Sequence, residues 1–223
     1  FALNYRLHQS RVLGYHAVNI ALHISAAYLV FWLAKLLFSF LRKKKEEVSP
    51  KETLLSLFAA LIFLVHPIQT QALNYIFQRV TILGAICYVG SLCLYAVAMQ
   101  RLRGTGRVNI YFYAGSLLVA FMGMFAKENV GTLPFMILGF HFYFLRDEKA
   151  ISWKYALPFL LLLPVIPLAV CIAKPSVFSD VERFWANPSA HAIRYLYTQV
   201  RVIVTYLRLL VLPVGQNIDY DYP

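Results

Sequence analysis

Residues 53–107 read TLLSLFAALIFLVHPIQTQALNYIFQRVTILGAICYVGSLCLYAVAMQRLRGTGR. Two apolar runs, 53–66 and 80–99, flank the polar stretch HPIQTQALNYIFQR (66–79), and the second run closes on the basic segment RLRGTGR (101–107). Helices that are apolar all round belong in a core or a bilayer, and about 20 such residues cross the hydrocarbon layer. Working outward, the pattern repeats. Apolar runs lie near 15–41, 53–66, 80–99, 108–126, 130–145 and 153–172, and an arginine-striped helix is expected near 190–212. The second and fifth runs are short, so flanking polar residues should complete them. Pro158, Pro164 and Pro167 should kink the sixth, because each removes a helical hydrogen bond and crowds the preceding turn.

Composition supports this reading. The chain has 223 residues, of which 60% are hydrophobic and 14% charged, against about 25% charged in soluble domains. A globular fold of this length has too much surface to be covered by so few polar groups. The fold class expected is therefore an all-α integral membrane protein, with residues 1–223 forming a single multi-span helical membrane domain. The net charge of +11 does not signal nucleic-acid binding, because the cations sit in short loops between apolar runs rather than on a soluble module. The three cysteines, Cys87, Cys93 and Cys171, all fall within expected spans and show no metal-ligand spacing. The chain begins mid-pattern and stops after DYDYP, so it reads as a segment truncated at both ends.

Orientation follows from Lys and Arg. The loops 42–51, 101–107 and 146–154 hold eleven of the 21 basic residues, and short loops dense in Lys and Arg stay cytoplasmic. The polar stretches 66–79 and 126–130, with everything from 173 to about 190, should then face the other side.

Four stretches carry chemistry. In the first, at about 100° per residue, Gln71, Asn74 and Gln78 share a face of one expected helix over 66–79, with Arg79 beside them and His66 at its start. Either an interfacial connector or a site lining fits this face. In the second, GYHAVNIALH (14–23), His16, Asn19 and His23 share a helix face. Interhelical hydrogen bonding is the simpler reading, because His16 and His23 stand about 10 Å apart along the axis, too far for a common metal. The third, FAKENVGTLP (125–134), sets Lys127 and Glu128 between two apolar runs, where ionisable residues tend to serve a site. In the fourth, 189–213, Arg194, Thr198, Arg201, Thr205 and Arg208 line one face over about 21 Å. That face suits phosphate, whether of lipid headgroups or of a lipid substrate. Asp219 and Asp221 follow in LPVGQNIDYDYP, and the pattern there favours a turn over a base or a metal ligand.

In this order, the motifs NYRLHQSRVLGYHAVNIALH, HPIQTQALNYIFQR, FAKENVGTLP and TQVRVIVTYLRLLVLPVGQNIDYDYP resemble the membrane half of a known family. That family is the transmembrane and tetratricopeptide-repeat (TPR) proteins, which include cadherin-directed O-mannosyltransferases and bacterial relatives. The resemblance implies a glycosyltransferase C (GT-C) fold and transfer of a sugar from a polyprenyl-phosphate carrier to a protein hydroxyl or another acceptor, on the periplasmic or lumenal side. It places the acidic catalytic residue in a first outer loop upstream of Phe1, so the catalytic base is not identified here, and it places a TPR array downstream. It makes Arg79, Lys127, Arg201 and Arg208 the donor-phosphate candidates. His16, Asn19, His66, Gln71, Asn74, Gln78, Glu128, Asp219 and Asp221 become site-lining candidates. No metal-ligand set is evident, while a divalent cation accompanying the lipid-linked sugar stays open. Partners implied are the polyprenyl-phosphate sugar, an acceptor protein or glycan, and membrane lipid. The expected location is the bacterial inner membrane with the site facing the periplasm; the alternative is the endoplasmic reticulum membrane with a lumenal site. A reading from another class is a non-catalytic membrane scaffold whose TPR half docks partners. A transporter would show repeat symmetry among the spans, and the sequence shows none.

Overall fold

The computed structural model describes residues 4–6, 9, 11–42, 49–145, 152–174, 176 and 190–215, the stretch 190–196 as backbone only. Its elements in chain order are α1 (Val12–Leu41), α2 (Pro50–Val65), the short α3 (Thr70–Asn74), α4 (Arg79–Thr105), α5 (Ile110–Ala126), α6 (Leu133–Leu145), α7 (Val165–Ala173) and α8 (Ala190–Val211). No strand occurs among the described residues, so this is an all-α chain. By length and apolarity α1, Ile76–Thr105 and Trp153–Ala173 can each cross a membrane, and α2 joins them if it is taken together with Pro67–Asn74, from which it is bent by 47°. α5 with 17 residues and α6 with 13 are shorter, because a 3-10 turn, Glu128–Thr132, takes the residues between them. The proline-rich sixth run is interrupted as its composition predicts: it runs as 3-10 turns, Trp153–Tyr155 and Leu157–Leu162, before α7 begins.

Local chemistry sets the helix ends. Ser49 opens α2 with a capping box: its hydroxyl accepts from Lys51 N at 3.4 Å, while Glu52 Oε2 accepts from Ser49 N at 3.2 Å. Pro50 occupies the first turn, where its missing N–H is not needed. Glu52 also pairs with Arg42 at 3.2 Å, joining the end of α1 to the start of α2. α4 stops at Gly106, whose φ of 72° favours glycine and lets its N–H reach Leu102 O at 2.8 Å. Asn109 then caps α5, accepting from Tyr111 N and Phe112 N.

Small residues let the helices approach. A Cβ on Gly123 of α5 would stand 2.8 Å from Cys87 Cβ on α4. One turn further along α4 and two turns back along α5, Ser91 and Ser116 exchange hydroxyl-to-carbonyl hydrogen bonds of 3.0 and 2.8 Å. Without a hydrophobic drive between helices in lipid, such close backbone contact and hydroxyl pairing hold them together. The buried centre is aromatic. Tyr95 meets Phe140 and Phe159 edge-to-face, and its hydroxyl is paired with His141 Nδ1 at 2.9 Å.

Contacts fix an antiparallel order and two distinct ends. At the basic end Arg103 donates to Phe40 O and Gln100 to Ser39 Oγ, alongside the Arg42–Glu52 pair. At the opposite, polar end α1 begins, the 66–78 segment turns, and Ala126–Thr132 links α5 to α6.

Candidate functional site

The polar end is built on α1. Tyr15, His16, Asn19 and His23 lie on one side of it, and their hydrogen bonds go to backbone carbonyls and to one guanidinium. His16 Nδ1 and Asn19 Nδ2 both donate to Leu73 O, at 3.3 and 3.5 Å. His23 Nε2 donates to Leu64 O at 3.1 Å, and its ring stacks on Phe63. Leu64 lies in the last turn of α2, where carbonyls have no helical partner. The His23 imidazole thus satisfies the end of α2, and His16 and Asn19 that of α3.

Arg79 completes this latch. Its Nε donates to Asn19 Oδ1 at 2.8 Å and its Nη2 to Tyr15 O at 3.1 Å, and its guanidinium lies 5.8 Å from the Tyr15 ring centre. Arg79 is 6% exposed and Asn19 is 0% exposed. Read from sequence as a cation facing a ligand, Arg79 is instead enclosed by the first helix.

The single helix expected over 66–79, with Gln71, Asn74 and Gln78 on one face, is not what forms. The segment divides into a 3-10 turn Pro67–Gln69, α3 and a second 3-10 turn Ile76–Gln78, with extended backbone at Tyr75 (φ −88°, ψ 108°). The cause is tertiary. In a continuous helix the Leu73 carbonyl would accept the Phe77 N–H, but His16 and Asn19 take that carbonyl. Gln78 turns inward locally, its Oε1 accepting from Thr81 Oγ1 at 2.6 Å. Asn74 instead borders an open hollow of about 480 Å³ with Val12, His16, Tyr75, Ile76 and Phe77. His66 is held at both nitrogens: Nδ1 accepts from Ile68 N and Nε2 donates to Leu210 O at 3.2 Å, which ties α8 to this end.

A second feature lies on the other side of α4. Thr81, Gly84, Ala85, Tyr88 and Val89 form one wall of a groove of about 290 Å³, and Lys127, Asn129, Val130 and Thr132 form the other. The two walls touch at Gly84, where an added Cβ would be 3.0 Å from Lys127 Cβ. Thr132 Oγ1 donates to Tyr88 OH at 3.3 Å across the groove. The Lys127 side chain is half-buried, and among the described residues it has no ion-pair or hydrogen-bond partner. An ammonium in mostly apolar walls attracts an anion more strongly than one in water, because the effective dielectric is lower. Glu128 beside it is exposed, and no carboxylate among the described residues lines the groove. The groove can therefore hold an anion.

The sequence had singled out Lys127 but missed the facing wall. Thr81, Gly84 and Tyr88 recur at helical spacing within run 80–99, and that was the signal available. Arg201 and Arg208 are exposed on α8. The Arg194 side chain, Asp219 and Asp221 lie outside the described residues. Among the described residues no group of three His, Cys, Asp or Glu side chains gathers as a metal site.

No family model matches the chain, and no solved structure matches it. Curated proteins do. It is 30% identical over 141 residues to the protein O-mannosyl-transferase Tmtc3 of Drosophila melanogaster, covering 58% of this chain and 15% of that protein. It is 26% identical over 228 positions to the protein O-mannosyl-transferase F38B6.6 of Caenorhabditis elegans, covering 99% of this chain and 29% of the relative. It is 30% identical over 137 residues to the human protein O-mannosyl-transferase TMTC4, covering 58% and 18%. The chain thus spans between 15 and 29% of the length of these relatives, and the curated proteins it resembles are protein O-mannosyl-transferases.

Proposed function

We propose that this chain is part of the membrane domain of a GT-C-type glycosyltransferase that moves a mannosyl group from a polyprenyl-phosphate carrier to a protein hydroxyl, on the side of the membrane away from the cytosol. The observation that carries the reading is the Lys127 groove, in which a cation with no partner among the described residues meets apolar walls at the end opposite the basic loops. The resemblance to O-mannosyl-transferases supports the reaction class. The groove's mixture of one ammonium and apolar surface suits a phosphate with an isoprenoid tail.

In the transfer, the acceptor hydroxyl oxygen bonds to the anomeric carbon as the carbon–oxygen bond to phosphate breaks. The carrier phosphate leaves with increased negative charge, and the acceptor's proton passes to a base outside this groove. The ammonium of Lys127 stabilises the leaving phosphate, because a cation contributes most where negative charge develops. The Tyr88–Thr132 hydroxyl pair and Asn129 offer further donors along the same wall. Location follows the relatives. All three named above are animal proteins, which favours the endoplasmic reticulum, with a lumenal site, over the bacterial inner membrane.

The test is kinetic. Full-length protein in lipid, supplied with polyprenyl-phosphate mannose and acceptor protein, should transfer mannose, and Lys127→Gln should raise the donor KM or lower kcat while the fold survives. Lys127→Arg should recover part of the rate, because charge is retained. Equal donor use by wild type and Lys127→Gln would remove the groove from the site, and absence of transfer with every polyprenyl-phosphate sugar would remove the reaction.

A further inference from the structure

α8 poses a different problem from the rest of the fold. At 22 residues it is long enough to cross a bilayer, yet it is not among the described helices apolar enough to do so. Few of its described side chains pack on the protein. Leu209 is 1% exposed, whereas Val211 is 79% exposed, and Val202, Thr198 and Thr205 are half-buried.

At about 3.6 residues per turn, the exposed Val200, Ile203, Leu207 and Val211 form one continuous arc. Exposed Tyr197 and Val204 border that arc, and exposed Arg201 and Arg208 lie just beyond the border. The open side of the helix is thus an apolar strip with a tyrosine and two guanidiniums along one edge. A helix crossing the hydrocarbon would carry those guanidiniums into lipid tails at a heavy cost. The same helix lying in the plane of the interface puts the strip among acyl chains, the tyrosine at headgroup depth and the guanidinium forks beside phosphates. His66 anchors its C-terminal turn, through Leu210 O, to the polar end of the bundle.

We infer that α8 is an in-plane helix at the polar end, whose exposed strip takes phospholipid acyl chains and whose Arg201 and Arg208 grip the headgroup phosphates of the surrounding leaflet. Its occupant is bulk anionic membrane lipid, and this assignment stands apart from the Lys127 groove.

Photoactivatable phosphatidylglycerols test it on full-length protein in phosphatidylcholine–phosphatidylglycerol vesicles. One lipid carries its reactive group beside the phosphate and another carries it at the end of an acyl chain. Mass spectrometry then locates the adducts. The headgroup probe should label α8 along its whole length, at Tyr197, Arg201, Val204 and Arg208, and the deep probe should label it weakly. Arg201→Gln with Arg208→Gln should cut headgroup labelling several-fold, and excess polyprenyl phosphate should leave wild-type labelling unchanged. Strong labelling of Ile203 by the deep probe, with headgroup labelling confined to the two ends, would make α8 a membrane crossing. Absence of both labels would mean that protein covers the strip, and loss of labelling under polyprenyl phosphate would return the arginines to the donor. Each of these three results overturns the inference.

Discussion

Arg79, which opens α4, and Lys127, which follows α5, sit at the same end of the bundle, and the sequence marks both as cations beside apolar runs. Their surroundings differ. Arg79 is enclosed by α1, with Nε and Nη2 committed to Asn19 and Tyr15. Lys127 stands half-buried at the rim of a groove and has no partner among the described residues. A planar fork suits a fixed, multi-point latch, and a flexible point charge suits a site that is filled and emptied. On the function proposed, identical charge serves the architecture in one place and a ligand in the other.

Removing each cation should separate the two roles. The largest loss of stability is expected for Arg79→Ala, which leaves Asn19 Oδ1 and Tyr15 O without a donor in a buried setting. A penalty of about 1–3 kcal/mol for each buried acceptor left unsatisfied is anticipated, read as a lowered denaturation midpoint in detergent. Arg79→Lys should restore little of it, since one ammonium cannot span both acceptors. An unchanged midpoint for Arg79→Ala would mean that the latch is not holding the 66–79 segment. Lys127→Gln should do the converse. It should leave the midpoint within about 0.5 kcal/mol while lowering kcat/KM for the donor by about 100-fold, the scale of losing one charge-stabilising group. Equal losses of stability and activity would erase the distinction between the two cations.

The packing beside the groove can be probed as well. Gly123→Ala pushes a methyl to within 2.8 Å of Cys87 Cβ, so α4 and α5 must separate, at a cost of about 1–3 kcal/mol. The same shift should distort the groove that these helices share with Val130, whose Cγ1 is 3.0 Å from the added Cβ. Donor use should therefore fall together with stability in this variant, unlike in Lys127→Gln. The smallest effect belongs to the basic end, far from either cation. Ser49→Ala removes one half of a capping box and should cost about 1 kcal/mol with no change in donor KM. A changed KM there would show that the two ends communicate.

Much of the architecture was legible in the sequence because membrane helices advertise themselves through uninterrupted apolar length. The cluster of Lys and Arg in short loops marked one end, and the contacts of Arg103 with Phe40 and Arg42 with Glu52 gather there. The face of His16, Asn19 and His23 was also readable from spacing alone. The interruption at Tyr75 was not, because it depends on α1 side chains capturing the Leu73 carbonyl, a partner 54 and 57 residues away in the chain. Nor could spacing tell a buried guanidinium from an exposed one, which separates Arg79 from Arg201 and Arg208. The groove was half visible. Lys127 stood out as a charge between apolar runs, whereas Thr81, Gly84 and Tyr88 were hidden inside a run read as uniformly apolar.

The proposed function requires the carrier phosphate to meet Lys127, and photocrosslinking reads that contact directly. A polyprenyl-phosphate analogue with its reactive group next to the phosphate, bound to full-length protein in lipid, should form adducts within residues 81–89 and 127–132. Adducts concentrated instead around Arg201 and Arg208, or beside Arg79, would contradict it.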